Sequence, residues 1–120
     1  MNTTDFLTIT TAICPDRLAI IFEDKRYTFA QLAERVNRLA NALLKLGSRK
    51  GKVVAFLHVN CNQCVETYFA VARTGAIYLP LNFRAKEKEL TYMINTAEAE
   101  ILIVGERYLP LIQSIRPQLN

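Results

Sequence analysis

Cys61-Asn62-Gln63-Cys64 is the first stretch of this sequence whose residue types and spacing could do chemistry. It stands where an apolar strand gives way to a helix. There the helix N-terminus stabilises a thiolate, and a CxxC pair can carry thiol–disulfide exchange. Adding Cys14 and His58 gives four side chains of the kind that hold zinc. His58 and Cys61 straddle a strand end, however, and Cys14 lies in an unrelated turn. The single histidine, in an apolar run, is expected as a satisfied core residue. Three cysteines cannot all pair within one chain, and without a secretion signal free thiols are expected.

The remaining polar groups offer less. Lys86, Glu87, Lys88 and Glu89 read as an exposed helix face rather than paired catalytic carboxylates. Tyr27, Tyr68, Tyr78, Tyr92 and Tyr108 are dispersed and read as core or rim residues whose OH reaches a polar partner. No Ser-His-Asp or Cys-His arrangement stands out. Lys45, Arg49, Lys50 and Lys52 form a basic cluster that can meet phosphate. It has no interleaved aromatic residues for base stacking, so it reads as a solvated helix end and no nucleic-acid partner is expected. The glycines Gly47, Gly51, Gly75 and Gly105 are isolated, and no Gly-rich run offers successive N–H groups to a phosphate.

The elements that must position these residues follow from periodicity. Asp5–Ile13 carries Phe6, Ile9 and Ile13 at roughly helical spacing, weakened by threonines and interrupted at Cys14-Pro15-Asp16. Leu18–Phe22 reads as a strand, Glu23-Asp24-Lys25 as a turn and Arg26–Thr28 as a returning strand. Thr28 and Gln31 have capping-box spacing. Behind them Phe29, Leu32, Ala33, Val36, Leu39, Ala40 and Leu43 lie on one helical face, stopped at Gly47. Lys52–Val59 reads as a strand covered on both faces. A helical face of Val65, Tyr68, Phe69 and Ala72 ends near Gly75, and a short strand Ala76–Leu79 is closed by Pro80. Leu90, Met93, Ile94 and Ala97 make another helix, Ile101–Val104 another buried strand, and Leu109, Ile112 and Ile115 a last helix stopping at Pro117. Alternating strands and helices predict an α/β fold: a mostly parallel sheet with flanking helices and right-handed crossovers, preceded by a β-hairpin.

Composition sets bounds on this reading. The chain has 120 residues, 51% hydrophobic and 22% charged, which suits one folded domain and excludes a disordered segment. Its apolar runs near Val53–Leu57 and Ala76–Leu81 fall far short of the ~20 residues of a membrane span. No basic region precedes an apolar stretch after Met1, so the cytoplasm is the expected location. The net charge of +4 is mild.

Two stretches resemble a known family. Tyr27-Thr28-Phe29-Ala30-Gln31-Leu32 is similar to the Thr-Tyr-x-Glu-Leu signature near the start of adenylate-forming enzymes. Val71-Ala72-Arg73-Thr74-Gly75-Ala76-Ile77-Tyr78-Leu79-Pro80-Leu81-Asn82 resembles their Lys-Ala-Gly-x-x-Tyr-x-Pro-Leu-Asn signature. Order and separation fit, as do Glu89-Leu90 and Ala97-Glu98-Ala99-Glu100 leading into Ile101–Val104. The resemblance covers about residues 15–110. Gln31 replaces the commoner Glu, and Phe83-Arg84 follows Asn82 where many members have proline, which favours the acyl-CoA synthetase branch over peptide-synthetase adenylation domains.

The resemblance implies that residues 1–120 are a partial N-terminal, AMP-binding domain of an AMP-forming acid–CoA ligase acting on a fatty or related carboxylic acid. ATP, Mg²⁺ and CoA are implied for the full-length parent. The phosphate loop ending in Lys, the acidic residue on the ribose and the Lys of a later domain lie downstream in the family. No catalytic, cofactor-binding or metal-binding residue is therefore assigned within this segment, which is expected to be inactive alone and to self-associate. The motifs that match are scaffold motifs. The alternative is a free-standing small α/β protein with a thiol-redox or interaction role.

Overall fold

The computed structural model describes residues 3–120. Helix α1 (Thr3–Ile13) forms in spite of its threonines. Their hydroxyls turn back onto the preceding turn, Thr10 Oγ1 donating to the Phe6 carbonyl at 2.8 Å and Thr11 Oγ1 to Leu7 at 2.7 Å. The face it buries is not the expected one. Leu7 and Thr4 are inside, while Phe6, Ile9 and Ile13 are exposed.

Strands β1 (Leu18–Phe22) and β2 (Lys25–Thr28) pair antiparallel, with Phe22 opposite Lys25. The loop is thus the two residues Glu23 and Asp24, and Glu23 takes φ 55° in place of the glycine such a turn prefers. Thr28 then starts α2 (Phe29–Lys45) through the expected reciprocal cap. Gln31 N–H donates to Thr28 Oγ1 at 3.2 Å, and Thr28 N–H donates to Gln31 Oε1 at 2.8 Å. Leu32, Val36, Ala40 and Leu43 are buried on the face that the periodicity predicts.

The second sheet is parallel and three-stranded, in the order β4-β3-β5. It comprises β3 (Val53–Leu57), β4 (Ile77–Pro80) and β5 (Ile101–Val104), joined by α3 (Asn62–Thr74) and α4 (Glu87–Thr96), with α5 (Leu109–Ile115) closing the chain. Strand alternation divides the core in two. Val54, Tyr78, Ile101 and Ile103 face α1, α2 and α3, beside Val36, Leu43, Ala70 and Val71. Ala55, Leu57, Leu79, Leu102 and Val104 face α4 and α5, beside Leu90, Ile94, Ile112 and Ile115. Central β3 is covered on both faces, as its continuous apolar run predicts: Val54, Ala55 and Leu57 are fully buried. Burying each larger side chain of this kind contributes about 1.5–3 kcal/mol.

Several boundaries differ from the sequence expectation: α1 starts at Thr3, β2 at Lys25, β3 at Val53 and β4 at Ile77. β3 ends at Leu57, so His58 and Val59 lie beyond it. Pro80 is the last residue of β4 rather than its terminator, which an edge strand tolerates. Pro117 sits inside a closing 3-10 turn, Arg116–Gln118, instead of ending α5.

Candidate functional site

In open α/β sheets the crevice beyond the carboxyl ends of the strands is where ligands are held. Here that edge consists of His58 after β3, Leu81–Arg84 after β4, Gly105 after β5 and the N-terminus of α3. Leu81 N–H donates to the Phe56 carbonyl and Gly105 N–H to Leu57, each at 2.8 Å, so both neighbouring strands are pinned to β3 at their ends. Asn82 Oδ1 accepts from Arg84 N–H at 2.9 Å and turns the chain away from the sheet.

His58 is half-buried and lies past the strand, not within it. Its ring stands against Gly105 and edge-on to Tyr108, 6.4 Å between centroids. It is not the satisfied core histidine that the sequence suggests: Nδ1 is buried without a hydrogen-bond partner.

Cys61 is the residue immediately before α3, in extended conformation with φ −160°, and its side chain makes no capping bond. Cys61 is buried, Cys64 is half-buried, and both are free thiols, as is Cys14. Cys64 Sγ lies 3.6 Å from Tyr78 Oη. Burial first, then this contact and the neighbouring thiols, holds the Tyr78 phenol well above its ordinary value. Among the described residues no three His, Cys, Asp or Glu side chains come together as a metal-binding set, so Cys14, His58, Cys61 and Cys64 are not assembled into one.

Among the described residues the buried charged side chain is one that sequence reasoning missed. Glu66, 5% exposed, accepts from Asn62 Nδ2 at 2.7 Å and pairs with Arg35 Nε at 3.0 Å. The Arg35 guanidinium lies 4.6 Å above the Tyr27 ring. Its pKa is raised chiefly by the bond to Glu66. The network ties the hairpin, α2 and α3 together. It also rotates α3: the helix buries Asn62, Glu66, Thr67, Ala70 and Val71, leaving Val65 and Tyr68 of the expected apolar face exposed. The i, i+4 spacing of Asn62 and Glu66 is the signal that was available.

The other candidates fall where expected or apart. Lys86–Glu89 is exposed, and Glu89 Oε1 accepts from Lys86 N–H at 3.3 Å, a helix-start contact. In the basic cluster Lys52 pairs with Glu100 at 2.8 Å, while Lys45 closes the last turn of α2. Gly75 takes φ 81° at the C-terminus of α3 and lets the chain turn into β4. Gly47 and Gly51 likewise take positive φ, at 100° and 88°.

Comparison with known proteins agrees with this architecture. A family model described as AMP-binding enzyme matches residues 9–119. The chain is 30% identical to 4-hydroxybutyrate–CoA ligase 2 of Metallosphaera sedula over 105 residues, covering 88% of this chain and 19% of that ligase. It superposes on the anthranilate CoA ligase AuaEII, whose crystal structure holds anthranoyl-AMP, with a TM-score of 0.95 and 33% identity, over 99% of this chain and 23% of the other. A Mycobacterium tuberculosis fatty acyl CoA synthetase gives 0.92 and 29%, over 96% and 23%. The chain thus spans about a fifth of the length of the curated relatives it matches.

Proposed function

The chain belongs to the AMP-binding enzyme family, and we propose that residues 1–120 are part of the N-terminal domain of an AMP-forming acid–CoA ligase. The observation that carries the reading is the match over 9–119 together with relatives that are acid–CoA ligases of about five times this length. The parent activates a fatty or related carboxylic acid. Its carboxylate attacks the α-phosphate of ATP, forming an acyl-adenylate and releasing pyrophosphate; the CoA thiol then displaces AMP. ATP, Mg²⁺ and CoA are cofactors of the parent.

The role of this segment in that reaction is positional. Thr28 and Gln31 start α2, Gly75 turns α3 into β4, and the two core layers hold β3 between them. No residue here is given a catalytic, cofactor-binding or metal-binding role. The relatives named above act on a hydroxy acid, an aromatic acid and a fatty acid while sharing this architecture, which supports a scaffold that does not select the acid. The segment alone is inactive and self-associates. Among the described residues no helix is long and apolar enough to cross a membrane, and the proposed location is the cytoplasm. Nucleic acid is not among its partners.

The test is acid-dependent AMP formation by the purified parent, with 4-hydroxybutyrate, anthranilate and a fatty acid as probes. AMP and pyrophosphate released with one of them, and a CoA thioester formed, supports the reading. ADP instead of AMP, or no acid dependence across carboxylic acids, overturns it.

A further inference from the structure

His58 is the single histidine of the chain, and its two ring nitrogens stand in different surroundings. Gly105 packs over the part of the ring formed by Nδ1, Cγ and Cε1. The rings of Phe56 and Tyr108 stand tilted and edge-on to it, with centroids 6.3 and 6.4 Å away. Nδ1 is sealed from solvent and has no hydrogen-bond partner. The residues that close over it belong to this segment, so further chain packed on this edge adds to the burial and does not reach Nδ1. Nε2 is not among the buried atoms that lack a partner, and the ring is only half-buried. The Nε2 side is the one that reaches the surface.

A neutral imidazole carries one N–H, and the nitrogen that holds it is set by the partners each can find. A proton on Nδ1 would be a stranded buried donor, the rarer kind of orphan; a bare lone pair is tolerated more readily. The proton therefore sits on Nε2. This fixes one donor past the end of β3, between the chain leaving β4 and the chain leaving β5, where open α/β sheets hold ligands. The backbone donors beside it are already spent, Leu81 N–H on Phe56 and Gly105 N–H on Leu57. An unsatisfied Nδ1 breaks a rule that folded chains otherwise keep, and such breaches gather at functional sites.

We infer that His58 is a ligand-binding residue of the full-length parent, held as the Nε2–H tautomer so that it donates to a carboxylate or phosphate oxygen of the bound acid or nucleotide. The inference goes beyond the scaffold role given above and rests on the reading of the parent as an acid–CoA ligase. Such an oxygen is common to every carboxylic acid and to ATP, so this donor does not select among acids.

The test is ¹⁵N NMR of the parent labelled at histidine, with the His58 signals identified by their loss in His58→Gln. Expected is a protonated Nε2 and a bare Nδ1 in the free parent. The probes are AMP, the carboxylic acid alone, and an acyl-sulfamoyl adenosine whose sulfonyl oxygens stand in for the phosphate. The bound probe is expected to shift Nε2 and to slow exchange of its proton at least about tenfold. A response to AMP assigns the phosphate oxygen, and a response to the acid alone assigns the carboxylate. In turnover, His58→Leu is expected to raise KM for the matching substrate about tenfold or more, while His58→Gln, whose amide nitrogen can take the place of Nε2, stays within about threefold. Should His58→Leu fail to fold, the NMR of the unmodified parent decides. A proton on Nδ1 overturns the inference. So does an Nε2 unmoved by all three probes in a parent that forms AMP, and so does His58→Gln as impaired as His58→Leu. A parent that forms no AMP with any acid overturns the ligase reading itself, and this inference with it.

Discussion

A Cβ added to Gly105 would stand 2.4 Å from Nδ1 of His58. The backbone at Gly105, with φ −68°, is open to any residue, so the demand for glycine comes from the imidazole alone. The contact joins the ends of β3 and β5 at the edge where such sheets hold ligands.

Gly105→Ala is accordingly expected to destabilise the chain by about 1–3 kcal/mol through overpacking. His58→Ala in the same chain should relieve most of that cost, a coupling that urea unfolding of the two single variants and the double variant measures. Equal losses from Gly105→Ala with and without His58 would show that the contact is not the cause.

Arg35→Ala leaves Glu66 buried with Asn62 as its remaining partner. The expected loss is about 2 kcal/mol, below that of a fully enclosed pair because Arg35 is 39% exposed. Replacing both residues together by leucine should recover much of it. Thermal or urea unfolding of the three variants checks this, and a double variant no better than Arg35→Ala would contradict it.

Much of this fold was legible from short-range signals. The Thr28–Gln31 box, the α2 face, the Gly75 turn and the two-faced apolar strand β3 each depend on residues a few positions apart, and each formed as expected, whereas β5, expected as a buried strand, is only half-buried along its length. What was not legible depends on contacts distant in sequence. The apolar period of α3 pointed to Val65 and Tyr68, because Arg35, which makes burial of Glu66 tolerable, comes from another helix. In α1 Thr10 and Thr11 turn their hydroxyls back onto their own helix, and Thr4 and Leu7 lie inside while Phe6, Ile9 and Ile13 stay outside. The CxxC was correctly placed at a helix start, but periodicity held no hint that Tyr78 would lie beside Cys64. His58 was read as a strand residue because the run resumes at apolar Val59, two residues past Leu57 where β3 ends.

The thiols should behave as ordinary reduced cysteines. Alkylation followed by mass spectrometry is expected to label half-buried Cys14 and Cys64 readily and buried Cys61 slowly, with no disulfide-exchange activity. A Cys61–Cys64 disulfide that forms reversibly and reduces a partner disulfide would favour a redox role.

The most direct test of the central claim is ATP–pyrophosphate exchange measured side by side on the purified 120-residue chain and on the full-length parent, with the same panel of carboxylic acids. The predicted result is acid-dependent exchange by the parent and none above blank by the segment, in whose sequence Gly47, Gly51, Gly75 and Gly105 stand apart. Acid-dependent exchange by the segment itself, or none by the parent with any acid, would contradict it.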